Sequence, residues 1–271
     1  MTKKRIGLIA GNGQFPLLFS KRAQAKGFCL YVAAYVNEAD TRLADYAEAI
    51  EWLHLGQIKR LIKFFRRNKV EDALMIGGIR KTRMFSDVRP DTKAIRLIAG
   101  MKNTHDDGVL RAFAGALEKE GIRIRESTFL MPELLAEKGC WTRRRPSRSE
   151  NADIEMGWEL AKQIGRLDIG QCVVVGGGSV LAVEAIDGTD ATILRGGALG
   201  RGNAVVIKVC KPNQDMRFDI PAIGVQTIKT MQTAGAGVLA VEADRAVVFD
   251  REEMIDLADR ANIAIVALER D

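Results

Sequence analysis

Short apolar runs closed by glycine alternate along this chain with longer stretches whose apolar residues recur every three or four positions. Residues 6–10 predict a buried strand, followed by the turn Gly11-Asn12-Gly13 and a helix over 16–25. Strands are expected at 28–35 and, more weakly, at 49–53. The stretch 57–68 places Ile58, Leu61, Ile62 and Phe65 on one helical stripe and Lys59, Arg60, Lys63 and Arg66 off it. A strand at 73–76 ends in Gly77-Gly78. A helix over 106–120 is closed by Gly121, and a further strand covers 122–125. Apolar strands alternating with amphipathic helices imply a parallel sheet covered on both faces. The expected fold class is therefore α/β, with an N-terminal Rossmann-like domain over residues 1–132.

Periodicity fades and charge rises after residue 132, so 133–150, with its Arg143-Arg144-Arg145 cluster, is expected to be a linker. A second, C-terminal α/β domain over 151–271 follows. Its helices are expected at 151–165, 227–234 and 250–261, the last capped by Asp250. Its strands are expected at 172–175, 180–185, 204–209, 237–241, 246–249 and 263–268.

Composition narrows the classes of function. The chain has 271 residues, 47% hydrophobic and 28% charged, as a folded protein of two domains would. Its net charge of +6 favours anionic partners. Only 6% of residues are aromatic, and none interleave with Arg or Lys as a base-stacking platform would, so small phosphorylated ligands or an anionic membrane surface are expected rather than nucleic acid. The four cysteines form no C-x-x-C pair, which suggests a reducing compartment. With only His54 and His105 present, a zinc site is not expected. Residues 6–10 are too short an apolar run for a signal peptide, and no run reaches membrane-spanning length. A cytoplasmic protein fits these features.

Several stretches carry candidate chemistry. Gly11-Asn12-Gly13-Gln14 lies between a strand and a helix, where backbone N–H groups can approach a phosphate, or where it forms only a tight turn. The dinucleotide fingerprint would need glycine at Pro16, which argues against a nicotinamide enzyme. Gly77-Gly78 occupies the matching place after another strand. Residues 165–202 hold ten glycines with Asp168, Glu184, Asp187 and Asp190 among them. They read either as hairpin turns or as a ligand cradle with carboxylates for Mg²⁺. Asp106-Asp107 either complements a helix dipole or binds magnesium. Asp219 precedes Ile220-Pro221 and has Lys208, Lys211 and Arg217 close in sequence. It is either a turn residue or a metal-binding, water-activating carboxylate. No P-loop, G-x-S-x-G or Ser-His-Asp arrangement is present.

Five stretches in order along the chain resemble the LpxI family of UDP-2,3-diacylglucosamine pyrophosphatases. They are Gly7 to Gly13, Asp106 to Arg111, Ile164 to Gln171, Val180 to Asp190, and Lys211-Pro212 through Asp219 to Gly224. The glycine triplet 176–178 and the basic linker depart from the family pattern. The resemblance implies two α/β domains with lipid held between them, and Mg²⁺-assisted attack of water on the β-phosphorus. The products would be UMP and 2,3-diacylglucosamine 1-phosphate, in lipid A biosynthesis. It carries the catalytic role to Asp219. Lys208 and Lys211 would hold the diphosphate, with Gln171, Gly188 and Thr189 and the N-terminal glycine turns also touching substrate. Asp219, Glu184, Asp190 and Asp107 are the expected magnesium ligands. The resemblance also implies peripheral attachment to the inner face of the inner membrane; a homodimer is compatible with all of this, and the alternative function is a sugar-nucleotide-binding regulator without turnover.

Overall fold

The computed structural model of this chain describes residues 4–80, 88–100, 106–212, 214–218 and 220–270. The chain divides into two compact units. One is Met1–Pro132 with Asp215–Asp219, and the other is Glu133–Gln214 with Ile220–Asp271. Of the short returning segment, 215–218 are described.

The first unit is built on a parallel sheet of order β3-β2-β1-β4-β5. In chain order its elements are β1 (Arg5–Ala10), α1 (Phe15–Ala25), β2 (Cys29–Tyr35), β3 (Ala49–Leu53), α2 (Ile58–Arg67), β4 (Asp72–Ile76), α3 (Thr92–Ala99), α4 (Asp106–Glu118) and β5 (Arg123–Ile124). Leu8 pairs in register with Val32 on one side and Leu74 on the other, and all three are fully buried. Such central strands read as continuous apolar runs because helices cover both faces. Phe65 of α2 rests on Gly7, where a Cβ would meet its ring at 2.9 Å. Helix α3 was not expected from the apolar pattern. It starts at Asp91, whose side chain accepts from the N–H groups of Lys93 and Ala94.

The second unit carries a mixed sheet of order β6-β13-β11-β9-β7-β8. Its elements are β6 (Gly139–Cys140), α5 (Arg148–Arg166), β7 (Cys172–Gly176), β8 (Ser179–Val183), α6 (Thr189–Gly200), β9 (Ala204–Lys208), β10 (Ala222–Ile223), α7 (Val225–Ala234), β11 (Ala236–Glu242), β12 (Val247–Val248), α8 (Arg251–Arg260) and β13 (Ala264–Leu268). Strands β9, β11 and β13 run parallel, and β7 turns back antiparallel to β9 and pairs with β8. The α/β class expected for both halves is the fold observed.

Three local expectations change. The stretch 133–150, expected as a linker, is packed into the second unit. Its residues 139–140 pair with β13, and Arg144 donates to Gly237 O at 2.9 Å while pairing with Glu150. The glycines of 165–202 divide between turns and a helix. Gly177 and Gly178, both at positive φ, make the two-residue β7–β8 hairpin, and their N–H groups donate to the buried Asp153 carboxylate at 3.0 and 2.7 Å. Gly196 and Gly197 lie inside α6, where added Cβ atoms would strike Val174 at 2.5 Å and Ala234 O at 2.4 Å. They let the helix pack close to β7 and α7. Asp250 does precede α8, but in a left-handed conformation and without a side-chain cap bond.

Candidate functional site

In the first unit the sheet order reverses between β1 and β4. The crevice beyond their carboxyl ends is the usual ligand position in an open α/β sheet. Gly11 to Gln14 and Gly77-Gly78 meet there, as the sequence suggested. The two turns are joined backbone to backbone. Gly11 N–H donates to Ile76 O at 2.9 Å, Asn12 N–H to Gly78 O at 2.8 Å, and Gly78 N–H to Asn12 O at 3.2 Å. A Cβ on Gly11 would sit 2.3 Å from Gly78 O, and one on Gly77 would sit 2.5 Å from Asn12 O. Glycine at 11 and 77 thus serves close approach of two loops, and those N–H groups are committed to each other. Gly13, at φ 96° with open space around it, and exposed Gln14 at the start of α1 are the parts that face outward. Behind them Glu38, with a nearly buried side chain, accepts from Asn12 Nδ2 at 2.8 Å and from Arg80 Nε at 3.2 Å. The apolar pattern gave no signal for Glu38 or Arg80.

The segment 215–218 is built into this same unit. Ser127 Oγ donates to Arg217 O at 3.1 Å, Phe218 packs against the core that includes Phe113 and Leu117, and Arg217 lies over the Phe218 ring. Arg217 also pairs with Asp215 at 2.8 Å and with Glu118 of α4 at 2.9 Å, and Arg111 of α4 approaches Asp215 at 3.7 Å. The Arg217 guanidinium, hydrogen-bonded to it, holds the Asp215 carboxyl below the usual carboxylate range. Asp219 itself and the side chain of Asp107 lie outside the described residues.

In the second unit, polar side chains gather where β9 and β11 end and β7 begins. Glu184, just past β8 and buried, accepts from Gln171 N–H at 3.0 Å and Thr189 Oγ1 at 2.8 Å. Thr189 and Asp190 open α6 after Gly188, which adopts φ 83°. Asp190 accepts from Thr230 Oγ1 at 3.3 Å. Lys208, at the end of β9 and 9% exposed, donates to Ala222 O at 2.9 Å. Burial, then the charge of Glu184, pushes the Cys172 thiol up to about 12, with Lys208 opposing and Asp190 adding to the rise. Those charges therefore converge on the start of β7, and Cys172 remains a thiol. Gln171 Oε1 is buried without a hydrogen-bond partner among the described residues. The sequence-expected residues Gln171, Glu184, Gly188, Thr189, Asp190 and Lys208 thus do fall together. Lys211 is turned to an ion pair with Asp168 at 2.6 Å.

A second cluster roots the segment that leads into 215–218. Glu242, at the end of β11, accepts from Lys162 Nζ at 2.6 Å and from Cys210 N–H at 2.9 Å, and Lys162 also donates to Cys210 O at 2.9 Å. Gln214 Oε1 accepts from Lys211 N–H at 2.8 Å and from the Cys210 thiol at 3.2 Å. Burial and the nearby Glu242 carboxylate raise the Cys210 thiol above its ordinary value. The sequence reading passed over Glu242 and Lys162. A carboxylate at the end of a predicted parallel strand was the available signal.

Family models described as the LpxI N-terminal domain and the LpxI C-terminal domain match residues 5–134 and 137–266. The chain belongs to the LpxI family. The UDP-2,3-diacylglucosamine pyrophosphatase LpxI of Caulobacter vibrioides is 33% identical over 277 residues, covering 98% of each chain. Among solved structures, the biotin carboxylase domain of Hydrogenobacter thermophilus 2-oxoglutarate carboxylase is 11% identical at a TM-score of 0.29, covering 66% of this chain and 36% of that one. The N5-carboxyaminoimidazole synthetase of Staphylococcus aureus is 16% identical at 0.25, covering 68% and 41%. This chain spans under half of each of those two structures, and likenesses so slight carry no argument.

Among the described residues no three carboxylate, histidine or cysteine side chains gather as a metal site. Glu184 has both carboxylate oxygens in hydrogen bonds already, and Asp190 is the exposed carboxylate beside it. No helix among the described residues is long and apolar enough to cross a membrane.

Proposed function

We propose that this chain hydrolyses the diphosphate of UDP-2,3-diacylglucosamine, giving UMP and 2,3-diacylglucosamine 1-phosphate, as a step of lipid A biosynthesis. The observation that carries the reading is kinship along the entire chain: a relative bearing that activity in its name is 33% identical over 98% of both lengths.

In this reaction a water oxygen bonds to the β-phosphorus, and the bond from that phosphorus to the bridging oxygen breaks. The bridging oxygen leaves with UMP, and the water's proton passes to a base. Asp219 is the residue proposed to take it. Such a displacement depends on holding the phosphates in place and balancing charge as it builds. The segment bearing Asp219 has the means to be held: Ser127, Glu118 and the Phe218 contacts fix one stretch, and Lys162, Glu242 and Gln214 fix the turn before it. In the second unit Lys208 supplies a positive charge on the strand position paired with Cys172, next in sequence to Gln171, and Gln171 Oε1 can accept from a sugar hydroxyl or amide. Magnesium stays within the proposal as the neutralising cation. Asp219, Glu184, Asp190 and Asp107 are the carboxylates proposed to hold it, and no step is drawn through it.

The test is Asp219→Asn in the full chain, assayed for UMP release from the diacylated sugar nucleotide. The expected result is turnover reduced at least about a thousandfold, the scale of losing a general base or more, with substrate binding kept. Wild-type turnover in that variant would remove Asp219 from the mechanism. Binding without turnover in the unaltered protein would favour a sugar-nucleotide-binding regulator instead.

A further inference from the structure

Helix α2 is amphipathic in an unusually one-signed way. Its buried residues are Ile58, Leu61, Ile62, Phe64 and Phe65, and every exposed residue is a cation: Lys59, Arg60, Lys63, Arg66 and Arg67. Arg60 and Arg67 share Glu51, and Arg66 pairs with Glu120. Lys59 and Lys63 have no ion-pair partner among the described residues. Helix α3 is locked alongside. The Asp91 carboxylate that caps it also accepts from Lys59 N–H at 2.6 Å, and Glu120 bridges Arg66 to Lys93. From α3 two isoleucines project into solvent three residues apart, Ile95 at 55% and Ile98 at 53% exposure, with exposed Arg96 between them.

We infer that the α2–α3 face docks on an anionic lipid bilayer, the lysines and arginines meeting headgroups while Ile95 and Ile98 enter the boundary below them. Charge complementarity selects the occupant. A surface of clustered cations attracts anionic lipid, and paired exposed aliphatics add burial that a purely electrostatic partner would not use. Nucleic acid fits less well: both aromatic residues of α2 are buried, so no ring is available for base stacking. The inference depends on the hydrolase reading only for its purpose, since a diacylated substrate resides in a bilayer.

Sedimentation of the full-length protein with vesicles tests it, using phosphatidylcholine alone and phosphatidylcholine with added phosphatidylglycerol. The protein should pellet with the anionic vesicles only, and less as ionic strength rises past about 0.15 M. Lys59→Ala combined with Lys63→Ala should weaken binding about twenty-five-fold, at about fivefold per lysine. Ile95→Ser combined with Ile98→Ser should weaken it with the salt sensitivity kept. Both variants should melt like the unaltered protein and release UMP from detergent-dispersed substrate at its rate. Equal binding to phosphatidylcholine alone, unchanged binding in both variants, or tighter binding to a single-stranded oligonucleotide than to anionic vesicles would each overturn the inference. If the unaltered protein releases no UMP from dispersed substrate while the vesicle pattern holds, the hydrolase reading fails and this one stands.

Discussion

The two units meet the same requirement, an ordered set of groups at the carboxyl ends of parallel strands, by opposite means. The first brings main chain against main chain. Gly11 and Gly77 let the turns after β1 and β4 approach until they exchange hydrogen bonds, and a side chain at either position would strike the other turn's backbone. The second buries charge. Glu242, ion-paired with Lys162, accepts from Cys210 N–H at the end of β11, and buried Glu184, just past β8, accepts from Gln171 N–H. A glycine contact is rigid because any added atom collides. A buried ion pair is rigid because an unpaired charge in the interior is costly. The first arrangement should be sensitive to volume and indifferent to pH, and the second sensitive to charge and tolerant of size.

That contrast can be broken at several points. The largest effect should come from Glu242→Ala, which leaves the Lys162 ammonium without its carboxylate and the Cys210 N–H without its acceptor. About 3 kcal/mol of stability in the second unit should be lost, read by hydrogen exchange at the amides of β9 and β11. Replacing both partners, Lys162→Met with Glu242→Leu, should recover part of the loss by removing the stranded charge, the Cys210 N–H and O then losing their partners. A double variant no more stable than Glu242→Ala would mean that the stranded ammonium is not the source of the loss. Next is Gly11→Ala, whose new carbon would lie 2.3 Å from Gly78 O. Overpacking against backbone should cost about 2 kcal/mol, seen in a urea melt, with the same loss at pH 5 and pH 8. The smallest effect concerns Asp215. Its carboxyl is held low by Arg217 in the folded state, so its stabilisation is fully present above the unfolded value of about 3.9 and is lost as pH falls through the lower folded value. Asp215→Asn should therefore melt slightly below the unaltered protein at pH 7, and the gap should close in strong acid. A gap that widened on acidification would contradict the pairing.

The elements of the first unit were legible because their apolar runs and helical stripes are uninterrupted. Strands 6–10, 49–53 and 73–76 were placed within a residue of β1, β3 and β4, and α2 was placed from Ile58, Leu61, Ile62 and Phe65. Helix α6 was missed because Gly196 and Gly197 look like loop residues until Val174 and Ala234 are seen pressed against them. Helix α3 was missed because Ile95 and Ile98 point into solvent and blur its stripe. Of the candidate site, Gln171, Glu184 and Thr189 were legible through the two stretches that carry the family resemblance, Ile164 to Gln171 and Val180 to Asp190, which the structure joins by hydrogen bonds. That Gly11 and Gly77 serve each other was invisible, since only the fold shows which loops touch. The roles of Glu242, Lys162 and Ser127 were hidden for the same reason: each is defined by a partner far away in sequence.

The return of residues 215–218 to the first unit also bears on how such a chain can evolve. Phe218 and Arg217 are a plug whose socket, including Glu118 and Ser127, is encoded some ninety residues upstream. A recombination event exchanging only the amino-terminal half would pair an old plug with a foreign socket. The gene is therefore expected to drift as one inheritance unit, with changes around position 118 or 127 answered by changes near 217, even though two domains are what the sequence spells.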